Sequence, residues 1–171
     1  MFLLRICLRP PMAEPHAPRK AMHLFFYGTL THEHANLATR EVLLRLVLVG
    51  RGRVAGQLHA VPTAQGWYPA LLPGDGQVSG WVYRAGAGFD AQCLARLDAW
   101  EDYDPRRPRR SEYLRRRIPV QLARGRTLIA QAYLWNRPVV PAMVPLPGGD
   151  FTAWLAAPAR RPRLAFTGKS D

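Results

Sequence analysis

The stretch FFYGTL, residues 25–30, runs three consecutive aromatics into a glycine and a threonine. With His23 and Leu24 ahead of it, it reads as a short buried strand that stops abruptly. The residues that follow, HANLATREVLLRL (34–46), have helical spacing, with Leu37, Val42, Leu44 and Leu46 roughly along one side. The turn at Gly28 therefore separates a strand from a helix. It is either simple punctuation or a backbone surface offered to a ligand. Gly28 carries no side chain to block an approaching molecule, and successive amides of Gly28, Thr29 and Leu30 can form an anion-binding nest.

Further along, LVLVGRGRVAGQLHAV (46–61) is rich in strand formers and broken by Gly50, Gly52 and Gly56, which predicts bends or bulges. WYPALLPGDGQVSGWVYR (67–84) reads as two strands about a Pro-Gly-Asp-Gly turn. EYLRRRIPVQLARGRTLIAQAYLWNRP (112–138) reads as a hairpin around ARGR, and GGDFTAWLAAP (148–158) as a short turn or helix. Many short strands with two helices predict an α+β domain around a curled, mostly antiparallel sheet.

GFDAQCLARLDAWEDYDP (88–105) is the best helix in the chain. Asp90 is placed as its N-cap, with Phe89 and Leu94 as a hydrophobic staple, and Pro105 marks its limit. On a wheel of about 100° per residue, Cys93, Leu94, Leu97 and Trp100 make the apolar face. Asp98 and Asp102 fall towards its edge. Glu101 falls between Leu94 and Leu97, at the spacing that stacks side chains on one stripe. A carboxylate there is costly unless paired or wet. It also lies near the helix C-terminus, where the dipole disfavours an anion. Both effects raise its pKa from ~4.3. A raised carboxylate facing a cavity is what a general base requires. The competing reading is a structural ion pair between Glu101 and one of the chain's arginines.

The chain has 171 residues, 48% hydrophobic and 21% charged, which is the composition of a globular domain and not of a disordered one. Residues 1–21, with prolines at 10, 11, 15 and 18, read as a disordered or mis-started tail. Met12 and Met22 are alternative starts. Residues 22–157 read as the domain and 158–171 as a basic tail. The apolar start is interrupted by Arg5 and Arg9, against a secretory signal, and no apolar run reaches the ~20 residues of a membrane span. Cys7 and Cys93 make neither a disulfide framework nor a zinc spacing. The net charge of +12 and pI near 11 invite a nucleic-acid reading. Almost all of that charge is arginine, however, a bias that a GC-rich genome also produces. The loop DPRRPRRSEY (104–113) would attract anionic substrates if it overhangs a pocket; otherwise it is a solvated surface. His32 and His34 read as solvated loop positions beside the YGTL turn.

YGTL (27–30), WYPALL (67–72), LDAWEDYDP (97–105), YLRRRIPV (113–120), AYLW (132–135) and GGDFTAWL (148–155) occur in this order. Together, from about His23 to Leu155, they resemble the γ-glutamylcyclotransferase-like superfamily, in particular its AIG2-like and γ-glutamylamine cyclotransferase branch. The resemblance implies a small, mostly antiparallel β-barrel with flanking short helices. Its cavity would be lined by the YGTL loop and hold one catalytic glutamate, matching Glu101. Substrate-binding roles are implied for Tyr27, Gly28, Thr29, Leu30, Tyr113 and Tyr133, with Arg115 or Arg116 completing a tyrosine-arginine pattern. Where the family often has glycine after the glutamate, this chain has Asp102, a second acid expected beside the site. The implied reaction closes a γ-glutamyl group on its own α-amine, giving 5-oxoproline and a free amine, with no metal or cofactor. The implied partner is a small γ-glutamyl compound, with no membrane involved, and the expected compartment is the cytoplasm. Two alternatives stand beside it: a binding or other acyl-transfer protein on the same fold, and, ranked last, a basic nucleic-acid binder.

Overall fold

The computed structural model describes residues 21–33, 37–64 and 66–157. The tail assigned to 1–21, apart from Ala21, and the tail at 158–171 lie outside the described residues, as do Cys7, Met12 and His34. Strand β1 (His23–Phe26) is buried along most of its length. Phe25, with Tyr27 beyond the strand end, packs into one apolar cluster, while Leu24 and Phe26 pack into a second. Burial on both faces explains why this strand reads as an unbroken apolar run. Helix α1 (Leu37–Leu43) is shorter than the periodicity predicts. The pattern extends to Leu46, but Leu44 is 76% exposed and Leu46 already begins strand β2.

Strands β2 (Leu46–Thr63) and β3 (Gly66–Ala85) form a long antiparallel hairpin. Its reversal lies at Thr63–Gly66, where the Thr63 hydroxyl donates to the Gly66 carbonyl at 3.1 Å. The Pro-Gly-Asp-Gly segment is therefore not a turn between two strands. Gln57 pairs with Leu72 and Ala55 with Gln77, so residues 73–76 bulge out opposite Gly56 and both arms keep the same partner. Gly56 takes φ +155°, where a side chain is strained, as the bulge requires. A second register shift lies between Leu48 and Gly50. Gly52 serves differently. A Cβ there would sit 2.6 Å from Val120 Cγ1 and 2.9 Å from Val82 Cγ2, at the point where β2 meets strand β4.

Helix α2 (Ala91–Trp100) starts on Asp90, whose carboxylate accepts from the Cys93 N–H at 2.9 Å. Strands β4 (Tyr113–Leu122) and β5 (Thr127–Trp135) form the predicted hairpin, turning through Arg124 and Gly125, both at positive φ. The short strand β6 (Val144–Pro145) adds to β2, and helix α3 (Phe151–Leu155) is capped by Asp150.

β3, β1, β5, β4 and β2 are hydrogen-bonded in that order, and the β2–β3 pairing closes them into a five-stranded barrel. All pairings are antiparallel except β1 with β5. The barrel interior holds Phe25, Val54, Leu58, Val78, Val82 and Val120, with Phe151 of α3 fully buried against them. A second cluster joins the outer face of β1 to α2 through Leu24, Phe26, Cys93, Leu97, Tyr113 and Tyr133. Phe89 and Leu94 both pack on this cluster. The seam between the two clusters, at the end of β1, is where the candidate site lies.

Candidate active site

A cavity of about 280 Å³ opens where β1 ends and α2 ends. Tyr27, Gly28, Thr29 and Leu30 form one side, and Glu101, Tyr113 and Tyr133 also line it. The structure thus brings all seven of the site residues read from the sequence to one hollow. Gly28 is not among the positive-φ glycines, so the turn does not demand glycine for its backbone angles. Its need is space: a Cβ would lie 2.6 Å from Pro69 Cγ, and Pro69 is itself part of the cavity wall.

Glu101 is the C-cap of α2, with φ −91° and ψ 14°, and its N–H donates to the Leu97 carbonyl at 3.1 Å. It therefore keeps the Leu97 stripe without being inside the helix. The residue is partly buried, facing the cavity. Burial raises its carboxyl from 4.5 to about 7, and the charge of Glu112 adds to the effect. The rival expectation of an arginine partner is not met: among the described residues the ion pairs are Arg51–Asp150, Arg96–Glu41 and Arg115–Asp98. Trp100, placed on the buried face by the wheel, is 51% exposed and reaches only the cavity rim.

Two acids do not lie where the sequence suggests. Asp98, expected at the helix edge, is buried. Its Oδ1 accepts from the Tyr133 hydroxyl at 2.8 Å and lies 2.8 Å from Arg115 Nε, while Oδ2 accepts from Arg115 Nη2 at 3.2 Å. Arg115, not Arg116, is thus the arginine tied to the site, and the Arg116 side chain is exposed. Asp102, expected as the second acid of the site, is exposed and outside the cavity wall. It adopts φ +46°, a left-handed angle at the residue after a helix cap, where glycine costs least. The second acid of the cavity is Glu112, one residue before β4. No local pattern marks it in the sequence.

The aromatic hydroxyls are held by partners within the protein. Tyr27 donates to the Tyr133 carbonyl, Tyr113 donates to the Pro69 carbonyl at 2.6 Å, and Tyr68 donates to Glu112 Oε1 at 2.6 Å. Burial, with the nearby carboxylates, pushes Tyr27, Tyr113 and Tyr133 well above the usual phenol range. All three remain neutral. Among the described residues the wall contains two carboxylates and no Lys, Arg or His. The arginines at 106–110 line a separate surface hollow, so they do not overhang this one. His32 packs on Trp81 and bonds Tyr83, outside the cavity. Among the described residues no group of three side chains is arranged to hold a metal ion, and no helix is long and apolar enough to cross a membrane.

The sequence and fold that build this hollow are shared with known proteins. The chain is 33% identical over 119 residues to the gamma-glutamylcyclotransferase family protein YtfP of Escherichia coli, covering 69% of this chain and 86% of that one. The solution structure of YtfP superposes with a TM-score of 0.50 at 30% identity, over 75% of this chain and 95% of that one. The crystal structure of an AIG2-like protein from Mus musculus gives 0.55 at 27% identity, over 72% and 83%. A family profile described as gamma-glutamyl cyclotransferase, AIG2-like, matches residues 24–153, from β1 into α3 and across every element of the cavity. On fold and sequence together, the chain belongs to the AIG2-like gamma-glutamyl cyclotransferase family.

Proposed function

We propose that the protein is a γ-glutamyl cyclotransferase that converts a γ-glutamyl amine or γ-glutamyl amino acid to 5-oxoproline and the free amine. The substrate α-amine attacks its own γ-carbonyl carbon. The new C–N bond closes a five-membered ring, the old C–N bond breaks, and one proton passes from the attacking nitrogen to the departing one. Glu101 carries that proton. The protein's remaining task is to fold the γ-glutamyl chain so that amine and carbonyl meet, which in well-oriented systems supplies roughly 7–11 kcal/mol of barrier reduction.

The observation that carries this reading is the setting of Glu101: raised to about 7, unpaired by any cation among the described residues, and lining one small hollow with Gly28, Thr29 and Leu30. An ordinary glutamate lies about 3.5 pH units below an α-amine, a gap of roughly 5 kcal/mol for proton transfer. At about 7 the gap falls to about one unit, or roughly 1.4 kcal/mol. Such a base also returns the proton readily to the leaving nitrogen. The amides of Gly28, Thr29 and Leu30 are the candidates to hold the substrate carboxylate or the developing oxyanion. The proposed setting is the cytoplasm.

The test is 5-oxoproline release from a panel of γ-glutamyl amines and γ-glutamyl amino acids, with Glu101→Gln as the control. Wild-type turnover is expected, with a loss of about 10²–10⁴-fold in the variant. No product from any panel member, or equal turnover by the variant, refutes the reading.

A further inference from the structure

Glu112 stands at the junction of three elements. Its N–H donates to the Asp102 carbonyl at 3.1 Å, and its own carbonyl accepts from the Asn136 N–H at 2.8 Å. It is thereby tied to the turn that begins at Glu101 and to the end of β5. Its carboxylate is held in turn by the Tyr68 hydroxyl of β3 at 2.6 Å. The Tyr68 ring packs against Tyr113 and Trp135, with centroids 6.4 and 6.0 Å away, so the donor is itself fixed. A carboxylate on the wall of a small cavity already holding a second carboxylate is electrostatically unfavourable.

We propose that Glu112 is a positioning residue for the Glu101 proton: a negative charge fixed on the same cavity wall that keeps Glu101 basic enough to accept a proton from the substrate amine. The other groups around Glu101 leave this role to Glu112. Tyr27, Tyr113 and Tyr133 are neutral phenols. Asp98 has its charge cancelled by Arg115. Asp102 is exposed, away from the cavity wall. Burial already raises Glu101, and the like charge of Glu112 acts in the same direction. Tyr68 matters because its hydroxyl holds the Glu112 carboxylate in place on the wall, at 2.6 Å.

What the proton does in turnover rests on the cyclotransferase reading; where it sits does not. The experiment therefore reads Glu101 directly, by ¹³C NMR titration of the glutamate side-chain carboxyls in the full chain, with E101Q identifying the Glu101 signal. The wild-type midpoint is expected near 7. In E112Q it falls by on the order of one pH unit, and the acidic limb of kcat/KM for 5-oxoproline release moves with it. In E112D, which keeps the charge, the midpoint stays near the wild-type value. If wild type releases no 5-oxoproline yet the Glu101 midpoint drops in E112Q, the proposed reaction fails and the role of Glu112 stands. An unchanged midpoint in E112Q, or an equal drop in E112D and E112Q, overturns that role whatever the activity. Should E112Q not fold, E112A replaces it: the charge is again removed, the Glu101 midpoint falls, and a midpoint that stays put overturns the proposal.

Discussion

Replacing Glu101 by glutamine removes a carboxyl group from a place where its charge is unwelcome, and the resulting stability change depends on pH in a defined way. In the unfolded chain the group titrates near 4.5; in the folded protein it titrates at about 7. Between those values the folded state holds a proton that the unfolded state has lost. Stability therefore falls as pH rises through this window, and the whole penalty is present above about pH 7. At roughly 1.4 kcal/mol per pH unit the penalty is at most about 3.5 kcal/mol. Glu101 keeps part of its surface towards the cavity, where water screens the charge, so about 2–3 kcal/mol is the working figure.

Glutamine mimics the protonated acid in size and carries no charge. E101Q and wild type should then unfold alike at pH 4, below both titrations. At pH 8.5 the variant should be more stable by about 2–3 kcal/mol, a rise in Tm of roughly 5–10 °C for a domain of this size. Parallel urea and thermal unfolding at several pH values would follow the difference as it opens. Other acids titrate in both proteins and largely cancel in the comparison. A gap between the two proteins that does not change from pH 4 to pH 8.5 refutes the reasoning, as does a wild type that is the more stable of the two at high pH. The same variant should lose turnover, so stability and activity would move in opposite directions at one residue.

Asp98→Ala leaves the Arg115 cation and the Tyr133 hydroxyl without their buried partner; a loss of about 3–5 kcal/mol in chemical denaturation is expected, and a loss below about 1 kcal/mol would show that the pair is dispensable. Asp102→Gly relieves a left-handed residue at φ +46° and should raise stability by about 0.5 kcal/mol, whereas Asp102→Val should lower it; equal Tm values for the three proteins would remove the backbone argument. Gly28→Ala drives a methyl to within 2.6 Å of the Pro69 ring. It should destabilise by about 1–3 kcal/mol and narrow the cavity, seen as a higher KM for the γ-glutamyl substrate. An unaltered KM would mean that the loop moves freely away from Pro69.

Much of this site was legible because it follows local rules. Helical spacing puts Glu101 on the Leu97 stripe, four positions after that fully buried residue, and its N–H still bonds the Leu97 carbonyl; its catalytic role is implied by the family resemblance. The cap at Asp90 follows from side-chain chemistry beside the first turn. What was missed depends on residues distant in sequence. The wheel treats α2 as buried on one side, but Tyr133 and Arg115 cover its flank and bring Asp98 inside. Glu112 is placed by hydrogen bonds to Asp102, Asn136 and Tyr68, none of which leaves a trace in its neighbours. The Pro-Gly-Asp-Gly segment carries strong turn signals, yet it is a bulge because both of its arms pair with β2. A turn signature gives a local bend; only the pairing partner decides whether the chain reverses.

The charge of the chain makes the condition of the site sharper. With a net charge of +12, an inward carboxylate has every opportunity to find an arginine, and such a partner would pull its pKa down and end its use as a base. Arg115 reaches the same part of the fold from β4, but it is engaged twice, by the Asp98 carboxylate and by the face of Tyr103 at 5.6 Å. Asp98 lies in the last turn of α2, three positions before its C-cap Glu101, so the two acids divide the work: one neutralises the nearby cation, the other is left without one. Tyr133 ties Asp98 to the cavity wall, its hydroxyl donating to Asp98 and its carbonyl accepting from Tyr27. The basicity of Glu101 is therefore maintained by an arrangement of neighbours, and substitution of a residue that never meets the substrate can abolish it.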